Sequence, residues 1–294
     1  MGTCITNMFS ASGNVLPDDL PSKKTVFHLA NYALKHVLDK QINYSNLLAA
    51  TSCPDSIAPS LGQCIIQEYN CVLSHVDSID IVQGCTAGVS ALILASQLSE
   101  HNKSHVLLVT ADAAQKATSQ VSEVYKVFKD GVFACCVSYV DDDRKLIHHQ
   151  TTHYKDLHNV VTIKLGHDAD EIIAANIQDI ASDSRKYLGL QLDNSMAIKL
   201  MKQAEGFYLD FISKTGHPDV LILHQVNELI IDHLEKVFAK YPVRFINQAK
   251  ATGNCGCATT GIVLDTLQEE IKNKKVMVCS FGTGGAITAG LWQF

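Results

Sequence analysis

Along this chain, short apolar runs rich in β-branched residues alternate with longer stretches in which apolar residues return every three or four positions. The runs at 79–82, 106–110, 132–140, 160–165, 220–223, 243–246, 276–279 and 286–294 have the length and residue type of buried strands. The stretches at 28–38, 89–98, 196–212, 227–238 and 261–271 carry the helical period. Strand and helix in turn predict an α/β protein built on a mainly parallel, buried sheet. The helix predicted at 89–98 is apolar on nearly every side, which fits a helix held between two sheets better than one lying on a surface. Each half of the chain closes in a run of strands, 132–140 and 276–294, so the pattern also suggests an internal duplication without visible sequence identity.

No Pro-, Gly- or Ser-rich linker interrupts this pattern, and the polar patch 141–145 has the length of a turn or loop between strands. Composition then removes whole classes. Of 294 residues, 47% are hydrophobic and 18% charged, with 17 Gly and 6 Pro, which excludes a disordered or collagen-like chain. The formal net charge of -6, from 24 basic and 30 acidic side chains, has the wrong sign for a nucleic-acid binder. The segment MGTCITNMFSASG lacks the basic start and unbroken apolar run of a signal peptide, and no stretch is long enough to span a membrane. Ten cysteines without a CxxC pair fit neither a disulfide scaffold nor a zinc ribbon. The expectation is a cytoplasmic, reduced protein most of whose thiols act as small buried hydrophobes.

Open α/β sheets deliver functional groups at the carboxyl ends of strands, and several such places carry reactive side chains. Cys85 sits in Gln83-Gly84-Cys85-Thr86, between a strand and the buried helix. A helix N-terminus lowers a thiol's pKa and offers free N–H groups, so Cys85 reads as a nucleophile with half an oxyanion hole, or else as a packed, inert thiol. His224 ends the run Val220-Leu221-Ile222-Leu223, as a chemical residue or as a core histidine. Asn254 lies in the small-residue loop Gly253-Asn254-Cys255-Gly256, where it is a turn or capping residue or a hydrogen-bond donor. The loop Phe281-Gly282-Thr283-Gly284-Gly285 lets backbone N–H groups approach a ligand, yet matches neither a P-loop nor a dinucleotide fingerprint.

In this order, the Cys85 turn, Asp130-Gly131, Leu223-His224-Gln225-Val226-Asn227, Gly253-Asn254 and the 281–285 loop resemble the thiolase-fold condensing enzymes, most closely the ketoacyl-ACP synthase III family. The resemblance runs from about residue 25 to the end. It implies a five-layered α-β-α-β-α unit of two pseudo-duplicated halves, 1–155 carrying the nucleophile and 156–294 carrying the His and Asn. It implies a catalytic triad of Cys85, His224 and Asn254, with an oxyanion hole from the backbone of Cys85 and Thr283. The implied reaction is acyl transfer from a CoA or carrier-protein thioester to Cys85, then decarboxylative Claisen condensation with a malonyl-type thioester. The resemblance implies no metal and no tightly bound cofactor, since CoA or phosphopantetheine thioesters are the substrates.

The chain also departs from the family. Phe281 stands where a biosynthetic thiolase has its second cysteine, and Asn254 where elongating synthases have a second histidine, which favours the starter-type or specialised-metabolite branch. The family's Arg- and Trp-bearing CoA stretch has no counterpart at 17–23, its arginine five residues after the histidine is Leu229, and Thr283 replaces a glycine. Ile57 and Ala58 resemble the segment that crosses a homodimer to line the partner's acyl pocket. Lys199 with Lys202, or Lys236 with Lys240 and Arg244, are candidates for docking an acidic acyl carrier protein, or plain solvated helix faces. Two other readings stand beside condensation: an acyltransferase using Cys85 and His224 to form an ester or amide, and a shortened partner subunit of a heterodimeric ketosynthase.

Overall fold

The computed structural model describes residues 2–13, 16, 20, 24–118, 123–159, 161–165, 188–192 and 196–294. A first sheet is built from β1 (Gly2–Ser12), β2 (Tyr44–Ala50), β3 (Asp77–Ile81), β4 (His105–Ala113) and β5 (Asp130–Val140), in the order β1-β5-β4-β2-β3. A second is built from β6 (Lys145–His153), β9 (Val220–Leu223), β10 (Arg244–Ile246), β11 (Lys275–Phe281) and β12 (Ala286–Gln293), in the order β10-β9-β11-β12-β6. Between β6 and β9 in sequence, β7 (Val161–Leu165) and β8 (Leu188–Leu192) form a separate antiparallel pair.

The two large sheets repeat one another in order and sense. In each, the three strands at one end run parallel, and the last two pair antiparallel. The suggested duplication is therefore present in the topology. Strand β6 precedes residue 155 yet belongs to the second sheet, and the turn 141–144 joins β5 to it.

Helices α1 (Val26–Val37), α2 (Leu61–Glu68) and α3 (Asn70–Leu73) accompany the first sheet. Then follow α4 (Ala87–Asn102), α5 (Glu123–Val127), α6 (Met196–Thr215), α7 (Glu228–Phe238), α8 (Ala249–Thr252) and α9 (Thr259–Thr266). Apolar side chains form three clusters that define five layers. One joins α1 and α2 to the outer face of the first sheet. The largest fills the space between the sheets, around α4 and α9. The third joins α6 and α7 to the outer face of the second sheet. The apolar helix expected at 89–98 is the middle of α4, buried between the two sheets as its composition requires. Its packing is close: a Cβ on Gly88 would collide with the Cys257 carbonyl, and one on Gly261 with the ring of Phe133.

Most of the expected strands and helices are found, but the sheets are not mainly parallel, with four parallel and five antiparallel pairings among the described residues, and β8, α2, α3, α5 and α8 were not anticipated. Strands β1, β2 and β6 had no strong apolar signal. The helix expected at 261–271 starts two residues earlier and breaks into turns after Thr266. Val160, placed at the start of a strand, and most of the 17–23 segment lie outside the described residues.

Candidate active site

Strands β9 and β11 lie side by side, and the chemistry collects at their carboxyl ends. His224 follows β9 directly; its N–H donates to the Cys279 carbonyl of β11 at 2.9 Å, which fixes the backbone as the strand ends. The next residue, Gln225, is fully buried and acts as a clasp. Its amide Nε2 donates to the Leu223 and Ile246 carbonyls at 2.6 and 3.3 Å, and its Oε1 accepts the Gln248 N–H at 2.8 Å. The His224 loop is thereby tied to the segment that leads through α8 to Asn254. Asn227 then caps α7, its side chain accepting the Ile230 N–H at 2.9 Å.

Cys85 lies in a tight 3-10 turn, Gly84–Thr86, that feeds α4. The turn packs against the end of β11 and the glycine loop. Ser280 Oγ donates to the Cys85 carbonyl at 2.7 Å, and the glycine loop lies so close that a Cβ on Gly282 would meet the Cys85 side chain at 3.0 Å. Gly84 has φ 57, and a Cβ there would collide with the Thr283 hydroxyl. Only glycine lets the two loops close on each other.

Asn254 is positioned by its neighbours on both sides. Its N–H donates to Val127 O at 3.2 Å, and its carbonyl accepts the Lys129 N–H at 2.9 Å, a short bridge to the segment before β5. Its side-chain Oδ1 accepts the Gly256 N–H at 3.0 Å, which orients the amide and leaves Nδ2 as a donor. The 3-10 turn that follows, Gly256–Ala258, packs against Gly84–Thr86.

Burial sets the charges. Cys85, His224 and Asn254 are all buried. Desolvation pushes the Cys85 thiol up to about 12, with Asp112 adding to the rise and the Thr283 N–H opposing it. The lowering expected from a helix N-terminus is outweighed, since Cys85 sits in the turn ahead of α4 and away from water. Desolvation pushes the His224 imidazole down to about 4. Both ring nitrogens of His224 lack a hydrogen-bond partner among the described residues, and the ring meets Phe281 edge-on, centroids 5.9 Å apart at 89°.

The other expected positions lie elsewhere. Ile57 and Ala58 are exposed on the loop between β2 and α2 and do not line this chain's own site. On α6, Lys199 is half-buried and Lys202 exposed. In the second cluster, Lys240 pairs with Glu205 and Arg244 with Glu270, while Lys236 is exposed. Leu229 is 84% exposed in the first turn of α7. Beside the Cys85 turn opens a cavity of about 380 Å³ that reaches Gly84, Thr86, Thr283, β6 and β12.

Sequence reasoning missed Ser280 and Asp112. Asp112 is fully buried at the end of β4 and accepts from Thr51 Oγ1 (2.8 Å), Ser52 N (2.7 Å), Ser52 Oγ (2.6 Å), Cys257 N (2.6 Å) and Cys53 Sγ (3.3 Å). A lone acid closing an apolar strand run was the signal available.

Comparison with known proteins agrees with this architecture. Residues 213–294 match the family described as 3-oxoacyl-[acyl-carrier-protein (ACP)] synthase III C terminal. The beta-ketoacyl-[acyl-carrier-protein] synthase III of Prochlorococcus marinus (strain NATL2A) is 23% identical over 258 residues, covering 84% of this chain and 74% of that protein. A crystal structure of a 3-oxoacyl-(acyl-carrier-protein) synthase III superposes with TM-score 0.76 at 19% identity, over 95% of this chain and 87% of that one. The beta-ketoacyl-[acyl carrier protein] synthase III of Thermus thermophilus gives 0.74 at 19%, over 95% and 86%. With its repeated sheets and the helices buried between them, the chain shares the fold of these synthases, and its residues 213–294 match their C-terminal family.

Proposed function

We propose that the protein is a condensing enzyme that loads an acyl group on Cys85 and joins it to a malonyl-type thioester with loss of carbon dioxide. The observation that supports the reading is that Cys85 and His224, both buried, are tied to consecutive residues at the end of β11, Cys85 by Ser280 Oγ and His224 by the Cys279 carbonyl, with the imidazole neutral. In the first half-reaction the Cys85 sulfur attacks the carbonyl of a CoA or carrier-protein thioester. Charge gathers on the carbonyl oxygen, where the Cys85 and Thr283 N–H groups stabilise it. The tetrahedral adduct collapses to acyl-Cys85, and the departing thiolate leaves with the proton lost by Cys85.

In the second half-reaction a malonyl thioester loses carbon dioxide and becomes an enolate. The imidazole N–H of His224 and Nδ2 of Asn254 donate to its oxygen, and as neutral donors neither surrenders a proton during the step. The carbanion attacks acyl-Cys85, forming the carbon–carbon bond and expelling the Cys85 thiolate, which takes up a proton from solvent. The exposure of Ile57 and Ala58 supports a homodimer in which each loop is covered by a second copy. Lys199 and Lys202, both on α6, are proposed for carrier docking.

Intact-mass analysis after incubation with acyl-CoA or acyl carrier protein tests the reading. An acyl adduct is expected that Cys85→Ala abolishes, together with carbon dioxide release from malonyl thioester that Asn254→Ala slows. An adduct without Asn254-dependent release would instead favour an acyltransferase.

A further inference from the structure

The cavity beside the Cys85 turn has an unusual wall for a site that receives fatty acyl groups. Six of its lining residues carry hydroxyls: Ser52, Thr86, Ser90, Thr151, Thr283 and Thr288. Its volume, about 380 Å³, lies near the small end of the range for ligand pockets, about 300–1,000 Å³. The turn residues on either side of Cys85 line it, as does Thr283, which packs against Gly84. Cys85 itself is not a lining residue; the cavity lies against the turn that carries it.

The protons of these hydroxyls are largely committed. Ser52 Oγ donates to Asp112 at 2.6 Å. Thr86 Oγ1 donates to the Gln83 carbonyl at 3.0 Å, and Thr283 Oγ1 donates to the same carbonyl at 3.3 Å. A hydroxyl has one proton and two lone pairs, so these three offer acceptors only. Thr151 and Thr288 share one hydrogen bond at 3.1 Å, which uses one of their two protons. Among these hydroxyls acceptors therefore outnumber donors, and their complement is a ligand that donates. A plain alkyl chain would displace water and leave these oxygens unpaired, the circumstance in which polar sites discriminate most strongly. Among the described residues no lysine or arginine lines the cavity, and the one ionisable side chain among them, His153, is exposed, so they offer a carboxylate no buried cation.

We propose that the acyl group loaded on Cys85 is short and carries a hydroxyl. This rests on the condensing-enzyme reading of Cys85 and names its acyl class. The test is single-turnover loading from N-acetylcysteamine thioesters, which bypass carrier and CoA docking, read by intact mass. The 3-hydroxybutyryl, butyryl and succinyl donors are compared at equal concentration. Hydroxybutyryl loading is expected to be faster than butyryl by about tenfold, the worth of one hydrogen bond. In Ser90→Ala/Thr288→Val the ratio is expected to fall toward one, with hydroxybutyryl slower and butyryl faster, which also shows that the variant is folded. Butyryl loading equal to or faster than hydroxybutyryl overturns the proposal and leaves the Cys85 reading intact. Fastest loading by succinyl overturns it in favour of anion recognition at His153. Loading by none of the three overturns the parent reading and this one with it.

Discussion

Burial drives the two titratable residues of the site in opposite directions and leaves both uncharged. A thiol pushed up to about 12 and an imidazole pushed down to about 4 cannot rest as the thiolate–imidazolium pair of a papain-like protease. Resting Cys85 should therefore react with iodoacetamide at pH 8 at least about a hundredfold more slowly than exposed Cys71, measured by peptide mass spectrometry. His224 also makes stability depend on pH. Its folded pKa lies below the unfolded 6.5, so its contribution is complete above that value and falls away as pH drops from 6.5 toward 4. Across that window the cost is about 3 kcal/mol. Urea unfolding at pH 7, 5.5 and 4.5 should show the native protein losing about that much more than His224→Asn, and parallel losses would show that burial does not hold the imidazole neutral. The burial-prone turns holding Cys85 and His224 were legible because one leads into a helix and the other ends a strand, while Asn254 lies between a short helix and a 3-10 turn. The protonation states were not, because neither the depth of burial nor the carboxylate of Asp112 is written in the local sequence.

At the scale of elements, α4 was readable from composition alone, since a helix apolar on all sides has to be enclosed. Its partners were not. Trp292 on β12 donates its indole N–H to Ser96 Oγ at 3.0 Å, and Ser96 in turn donates to the Leu92 carbonyl at 2.9 Å, so a buried polar chain runs from helix to strand. Ser96→Ala strands the indole N–H and should cost about 1–3 kcal/mol. Making the same change in a Trp292→Phe background, where no donor is left to strand, should cost much less, and equal costs in a double-mutant cycle would show that the bond contributes nothing. The glycine loop was likewise legible as a tight turn after a strand but not as a steric partner of Gly84. Gly84→Ala places a Cβ on the Thr283 hydroxyl and should slow Cys85 acylation by about a hundredfold, as loss of an oxyanion donor does. Thr283→Gly in the same chain should return part of that rate. Failure of the second change to help would mean that the φ of 57 at residue 84, rather than the collision, is what alanine cannot tolerate.

At the scale of the whole molecule, the duplication was only faintly legible, because it lives in strand order and not in sequence. Strand β2 reads Tyr-Ser-Asn-Leu-Leu-Ala-Ala and β6 is mostly polar, so neither carries the β-branched run by which their neighbours announce themselves. Once the sheets are aligned, the halves interlock. The glycine turn of the first half, at Gly84, is closed by Thr283 from the second, and the glycine turn of the second, at Gly256, is closed by Asp112 from the first. The two closures differ in chemistry. At Gly84 the neighbour is the Thr283 hydroxyl, which donates to the Gln83 carbonyl at 3.3 Å, whereas at Gly256 it is a carboxylate that accepts the Cys257 N–H. The second turn is thus sealed by a permanent internal anion that also holds Thr51 and Ser52, the root of the loop bearing Ile57. Asp112→Ala would leave two buried N–H groups and two hydroxyls without their acceptor, and should lower unfolding free energy by about 3 kcal/mol or more. Asp112→Asn keeps the shape and removes the charge; it should cost less, and it should speed Cys85 alkylation, since the carboxylate is one of the influences holding that thiol protonated. A loss within about 1 kcal/mol for the alanine variant, or unchanged alkylation for the asparagine variant, would mean that Asp112 neither joins the halves nor acts on the thiol.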